Sequence, residues 1–158
     1  MNSWIVFVAR LLLVLLFLPF SALDKVLNFR AAALQASEAL AAPAIAKLLI
    51  LGGLAAEVSM STAILTGFAD RLAALIMSAY CVLTALLWKQ FWKSPDFRLK
   101  GPSAARELFW DFLKNLSVAG GFLLLAIGAN GIGISELRAH PFGSTHPYQT
   151  VSSNESPP

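Results

Sequence analysis

Residues 44–67 read AIAKLLILGGLAAEVSMSTAILTG, with only two charged side chains, Lys47 near the start and Glu57 close to the middle. At ~1.5 Å per helical residue, a stretch of this length can cross a hydrocarbon layer about 30 Å thick. Three further stretches have the same character: Trp4 to Leu23, Leu72 to Trp92 and Leu108 to Ile134. The segments between them, Asp24 to Pro43, Phe68 to Arg71 and Lys93 to Glu107, are short or polar. Connections this short make successive spans neighbours of opposite direction. The pattern predicts an all-α membrane protein, an antiparallel four-helix transmembrane bundle over residues 1–134. Residues 135–158, rich in Ser, Thr, Pro and Gly, are expected to form a disordered polar tail.

Composition supports a bilayer as the solvent. Hydrophobic residues make up 57% of the 158 residues and charged residues 13%, about half the ~25% usual in globular domains. One core of this size cannot hide so much apolar surface from water. The net charge of +3 carries little information as a total. No basic stripe with interleaved aromatics is present, which argues against nucleic-acid binding. With Cys81 the single cysteine, an intrachain disulfide, a CxxC redox motif and a thiolate zinc site are excluded. His140 and His146, the only histidines, both lie in the tail, so no bis-histidine haem or multi-histidine metal site is expected in the bundle. No phosphate-binding or dinucleotide motif occurs.

The first apolar run has nothing basic before it and a poor cleavage site at Phe20-Ser21-Ala22, so it is expected to be retained as a span rather than removed as a signal peptide. Arg10 and Asp24 bracket only 13 residues of it. Arg10 therefore either snorkels to the interface past Trp4 or pairs with an acid on a neighbouring helix. The first connection mixes Val26, Leu27, Phe29, Leu34 and Leu40 with Lys25, Arg30, Gln35 and Glu38, the pattern of a short interfacial amphipathic helix. Nine Lys and Arg fall on the side of the first and third connections and three (Arg10, Arg71 and Arg138) on the other. That asymmetry places those connections in the cytoplasm and both termini outside.

Glu57 is the leading site candidate. A charge at mid-span costs at least ~2.5–3.5 kcal/mol, so such a residue is expected to face the bundle interior. Gly53 and Ser61, one turn to either side, leave room for another helix to approach. The carboxyl is either a structural group bonded to a neighbour or a proton or ligand site. It is expected to be neutral unless a cation such as Arg10 or Arg71 reaches it. A second group opens the fourth span: Asp111, Lys114 and Asn115 share a helical face and suit a polar headgroup or a quinone carbonyl, or serve as an interfacial anchor with Phe109 and Trp110. Lys25 ends the first span at the same end of the bundle, as do Trp88 and Lys89 of the third, so a polar cluster at that mouth is geometrically allowed.

Four segments in order resemble the DoxX family of small bacterial membrane proteins: RLLLVLLFLPFSALDK from Arg10 to Lys25 followed by Asn28-Phe29, Gly52-Gly53 to Glu57, GFADRLAA from Gly67 to Ala74, and DFLKNL from Asp111 to Leu116 with Ala119-Gly120-Gly121. The resemblance covers about residues 8 to 130. It implies a four-helix bundle in the bacterial cytoplasmic membrane and an association with redox systems, founding members being subunits of a thiosulfate:quinone oxidoreductase. On that reading the chain contacts quinone or anchors an oxidoreductase subunit, with no covalently bound cofactor. The alternatives are a small-solute carrier that uses an intramembrane acid, and a non-catalytic scaffold. Homo-oligomerisation is compatible with all three.

Overall fold

The computed structural model describes residues 3–40, 43–128 and 133–149. Among them the architecture is all-helical, in the order α1 (Ser3–Val14), a widened turn over Leu16–Ser21, α2 (Ala22–Leu27), α3 (Phe29–Leu40), α4 (Pro43–Thr66), α5 (Asp70–Trp88), a short 3₁₀ turn (Phe91–Lys93), α6 (Ala104–Ile127) and α7 (Gly133–Ala139). Four helical stretches are long and apolar enough to cross a membrane: Ser3–Leu27, Ala44–Thr66, Asp70–Lys93 and Ala104–Ile127. The protein is a multi-pass membrane bundle.

The side chains fit that solvent. Leu12, Leu16, Phe20, Leu51, Leu86 and Leu124 are exposed on the outer faces of the four stretches, where lipid rather than water receives them at no hydrophobic cost. Exposed hydroxyls on α4 are satisfied within the helix: Ser59 donates to the Ala55 carbonyl, Thr62 to Val58 and Thr66 to Thr62. Such back-bonding leaves no polar hydrogen facing hydrocarbon.

The core joins all four stretches. Val14 and Phe17 from the first, Ile64 from α4, Met77 and Cys81 from α5, and Phe122 from α6 are buried together, with Ala73, Ala74, Ala119 and Ala126 where the helices come closest. The α5 and α6 pair is further tied by Ser78, which donates to the Ala119 carbonyl at 2.9 Å. Pro19, lacking an N–H, interrupts the helical ladder of the first stretch, and Leu18 leaves helical backbone at φ −122° and ψ 113°.

Several boundaries differ from the sequence reading. The first stretch runs past Leu23 to Leu27 before α3 begins. The expected helix in the first connection is present as α3, and it packs on α4 through Ala36, Ala46 and Ile50, with Phe29, Ala32 and Trp88 alongside. The turn between α4 and α5 is tighter than Phe68–Arg71. Gly67 at φ +79° and Ala69 at φ +48° reverse the chain, and Asp70 already lies in α5. The fourth helix starts at Ala104 rather than Leu108. Ser103 Oγ accepts from Arg106 N at 3.1 Å, and the Asp96 carboxylate accepts from Ala104 N at 2.8 Å, so a polar first turn is capped where a loop was expected. It ends at Ile127, with Gly128 at φ +69°, not at Ile134; residues 129–132 lie outside the described ones.

The tail also departs from expectation over residues 133–149. Gly133–Ala139 is helical, and the chain then returns across the end of the bundle formed by the start of α1 and the α4–α5 turn. Tyr148 donates to the Leu65 carbonyl, Ser3 Oγ donates to the Tyr148 carbonyl at 3.2 Å, and the Phe7 and Tyr148 rings lie 6.2 Å apart. Specific hydrogen bonds to buried partners outweigh the low-hydrophobicity composition on which the disorder expectation rested. Residues 150–158 lie outside the described ones.

Candidate functional site at the Glu57 mouth

Glu57 faces the bundle interior and is 1% exposed. Three donors from two other helical stretches converge on its Oε1: Lys25 Nζ at 2.7 Å, Tyr80 OH at 2.8 Å and Ser21 Oγ at 3.0 Å. Lys25 also donates to Ser21 Oγ at 2.6 Å. Ser21 and Lys25 are four residues apart, so one face of the first stretch carries both. Tyr80 reaches across from α5 because α4 offers no side chain at Gly53: a Cβ there would stand 3.1 Å from the Tyr80 hydroxyl oxygen. The second carboxylate oxygen of Glu57 and the Ser61 hydroxyl are buried with no hydrogen-bond partner among the described residues.

The cation that compensates Glu57 is therefore Lys25, not Arg10 or Arg71. Arg10 is itself buried, with Nη2 2.7 Å from Asp70 Oδ2 and Nη1 donating to the Ile64 carbonyl at 2.7 Å. Of its two expected behaviours, pairing rather than snorkelling is what the structure contains. Thr145 from the returning tail completes that cluster: its backbone N–H donates to Asp70 Oδ1 at 3.0 Å, its hydroxyl donates to Oδ2, and Arg10 Nη2 lies 2.9 Å from the same hydroxyl. Arg71 comes instead against Gly133, where a Cβ would lie 2.5 Å from its Nη1.

A cavity of about 590 Å³ opens beside Glu57. Ser21, Lys25 and Tyr80, the three donors to Glu57, lie on its wall. Leu48, Leu49, Leu83 and Leu87 supply apolar surface, and Trp88, Lys89 and Asn115 stand at the α5–α6 end. Ala32 and Gln35 of α3 close one side, so the helix of the first connection is part of the wall. Asp24 lines the cavity as well and accepts from Asn28 Nδ2 at 2.7 Å.

The second predicted group does assemble, with an extra member. Asp111 accepts from Lys89 Nζ at 3.0 Å and from Lys114 Nζ at 3.2 Å, and Asn115 Nδ2 donates to the Asp111 carbonyl at 2.9 Å. Of this group, Lys89 and Asn115 reach the cavity wall. Lys25, Asn115 and Lys89 thus line one mouth with Glu57 buried behind Lys25, while Arg10 belongs to a separate buried pair. Sequence reasoning did not single out Tyr80, Ser21, Asp70 or Thr145. Tyr80, one of two tyrosines and set midway along α5, was the most legible of them.

An apolar wall with a few convergent polar groups is the general makeup of small-molecule pockets. Lys25 and Asn115 keep an N–H beyond those already donated, suited to a carbonyl or hydroxyl oxygen, whereas the single Tyr80 O–H is given to Glu57. Among the described residues no cluster of three or more His, Cys, Asp or Glu has metal-binding geometry. No family model matches the chain, and neither a curated protein nor a solved structure matches it.

Proposed function

We propose that this protein is a DoxX-like subunit of the bacterial cytoplasmic membrane that binds a quinone in the cavity beside Glu57 and serves a membrane-associated oxidoreductase. The observation that carries the reading is the cavity of about 590 Å³ whose wall bears Lys25 and Tyr80, both held by one buried carboxylate oxygen. A quinone ring needs an apolar slot with a hydrogen-bond donor at its carbonyl end. Leu48, Leu49, Leu83 and Leu87 provide the slot, and Lys25 or Asn115, each with an N–H beyond those already donated, the donor, with Tyr80 holding the Glu57 carboxylate beside Lys25. The cavity lies between candidate membrane-spanning helices, where a lipid-soluble ligand partitions. With loops one and three in the cytoplasm, as the nine-to-three distribution of Lys and Arg supports, the mouth faces the cytoplasmic leaflet.

A second reading rests on the Lys25–Glu57 pair itself. A buried acid–base pair beside a cavity suits a proton-linked carrier, with the Glu57 oxygen that lacks a protein partner as its proton site.

The test is solvent extraction of protein purified in mild detergent, with quinone measured against a Tyr80→Phe/Lys25→Met variant of equal monodispersity. Near-stoichiometric quinone in the native chain and its loss from the variant support the first reading. Equal trace amounts in both reject it.

A further inference from the structure

The connection between α5 and α6, residues 89–103, is not used by the cavity beyond Lys89. It is nonetheless a built element. Phe91 packs edge-on against Trp92, Phe109 and Phe112 with centroids 5.1, 5.1 and 5.6 Å away, and Phe97 stacks back onto Phe91 and Phe109 at 6.0 and 5.6 Å. Arg106 Nη1 donates to the Leu99 carbonyl at 2.9 Å, and Ser103 Oγ to the Asp96 carbonyl at 2.8 Å. The loop is thereby folded onto the start of α6.

Its charges are unevenly used. Asp96 is engaged at the N-terminus of α6, and Asp111 holds Lys89 and Lys114. Lys93, Arg98 and Lys100 are exposed and have no ion-pair partner among the described residues; the exposed acid nearby is Glu107. Interleaved with these three cations are exposed apolar side chains, Trp92, Phe97 and Leu99, the last 72% exposed. The two helices that this connection joins carry the apolar surface on toward the bilayer, with Leu86 in the last turn of α5 and Leu116 in α6 exposed. A water-soluble protein partner would meet the cations but not bury that continuation, whereas an anionic phospholipid meets both.

We propose that Lys93, Arg98 and Lys100, set among Trp92, Phe97 and Leu99, form a binding site for the phosphate headgroup of an anionic phospholipid. The three cations supply the charge complement and the apolar side chains lie along the upper acyl chains. This site stands apart from the quinone reading, and its test needs no quinone.

The experiment is native mass spectrometry of the full chain titrated with phosphatidylglycerol or phosphatidylcholine of identical acyl chains. The native chain retains phosphatidylglycerol preferentially, and Lys93→Ala/Arg98→Ala/Lys100→Ala weakens that retention by on the order of a hundredfold, with phosphatidylcholine retention and helical circular dichroism unchanged. Arg30→Ala/Lys47→Ala, which removes two exposed cations at the same end of the bundle, leaves the preference intact. Equal retention of both lipids by the native chain overturns the proposal. So does a preference that survives the triple substitution, or one that falls equally with Arg30 and Lys47.

Discussion

Lys25 Nζ lies 2.7 Å from Glu57 Oε1, and the two side chains differ sharply in their surroundings: that of Lys25 keeps 18% exposure toward the cavity, that of Glu57 only 2%. The pair is thus neutral as a unit but unequal in its access to solvent. Removing Lys25 strands a buried carboxylate, while removing the charge of Glu57 frees an ammonium that can turn into the cavity.

Lys25→Met is therefore expected to destabilise the folded protein by about 3–5 kcal/mol, the range for breaking a buried pair, and Glu57→Gln by less. The double variant Lys25→Met/Glu57→Gln recovers part of the loss. Unfolding in detergent followed by circular dichroism measures all three, and equal effects of the two single substitutions would contradict the asymmetry.

Gly53 and Tyr80 supply a second, steric test. Gly53→Ala places a methyl 3.1 Å from the Tyr80 hydroxyl oxygen and pushes the ring off Glu57. The expected cost is about 1–3 kcal/mol, that of a strained contact and a weakened bond to a buried acceptor. In Gly53→Ala/Tyr80→Phe the clash is gone, so the double variant is more stable than the sum of the single effects predicts.

At the other end of the bundle, Asp70→Asn leaves the Arg10 guanidinium buried without its counter-charge and should cost about 3–5 kcal/mol. Thr145→Val removes one hydroxyl between Arg10 and Asp70 and should cost about 1–3 kcal/mol, while increasing protease cleavage within residues 140–149. Unchanged cleavage would mean that residues 140–149 are held by other contacts.

For orientation, a reporter joined after Pro158 should be active only when exported, and one inserted at Gly101 only in the cytoplasm. The opposite pair of results would invert the topology.

The four spans were legible because a bilayer imposes a minimum length on an apolar run, and Glu57 was legible because a mid-span charge has no cheap place except inside. The identity of its partner was not. Lys25 follows Ser21 by one turn, but only the packing of the first stretch against α4 brings that face onto Glu57. Arg10 illustrates the same limit. Its two options were both visible in the sequence, and the choice depends on Asp70, 60 residues away in the chain, arriving at the same end of the bundle. The return of residues 140–149 was illegible because it rests on a few long-range hydrogen bonds from Thr145 and Tyr148, not on an apolar pattern. The start of α6 differs from the apolar reading because its first turn is polar; Ser103 is a local cap signal, while the second cap, Asp96, comes from eight residues before Ala104.

Photolabelling with an azidoquinone, mapped by peptide mass spectrometry in lipid nanodiscs, tests the proposed quinone site most directly. Label is expected on peptides carrying Lys25, Leu48–Leu49 and Leu83–Trp88, is competed by unlabelled short-chain quinone, and falls sharply in Tyr80→Phe. Label spread along the lipid-facing residues Leu12, Leu16 and Leu124, insensitive to competitor and to Tyr80→Phe, would contradict a quinone site beside Glu57.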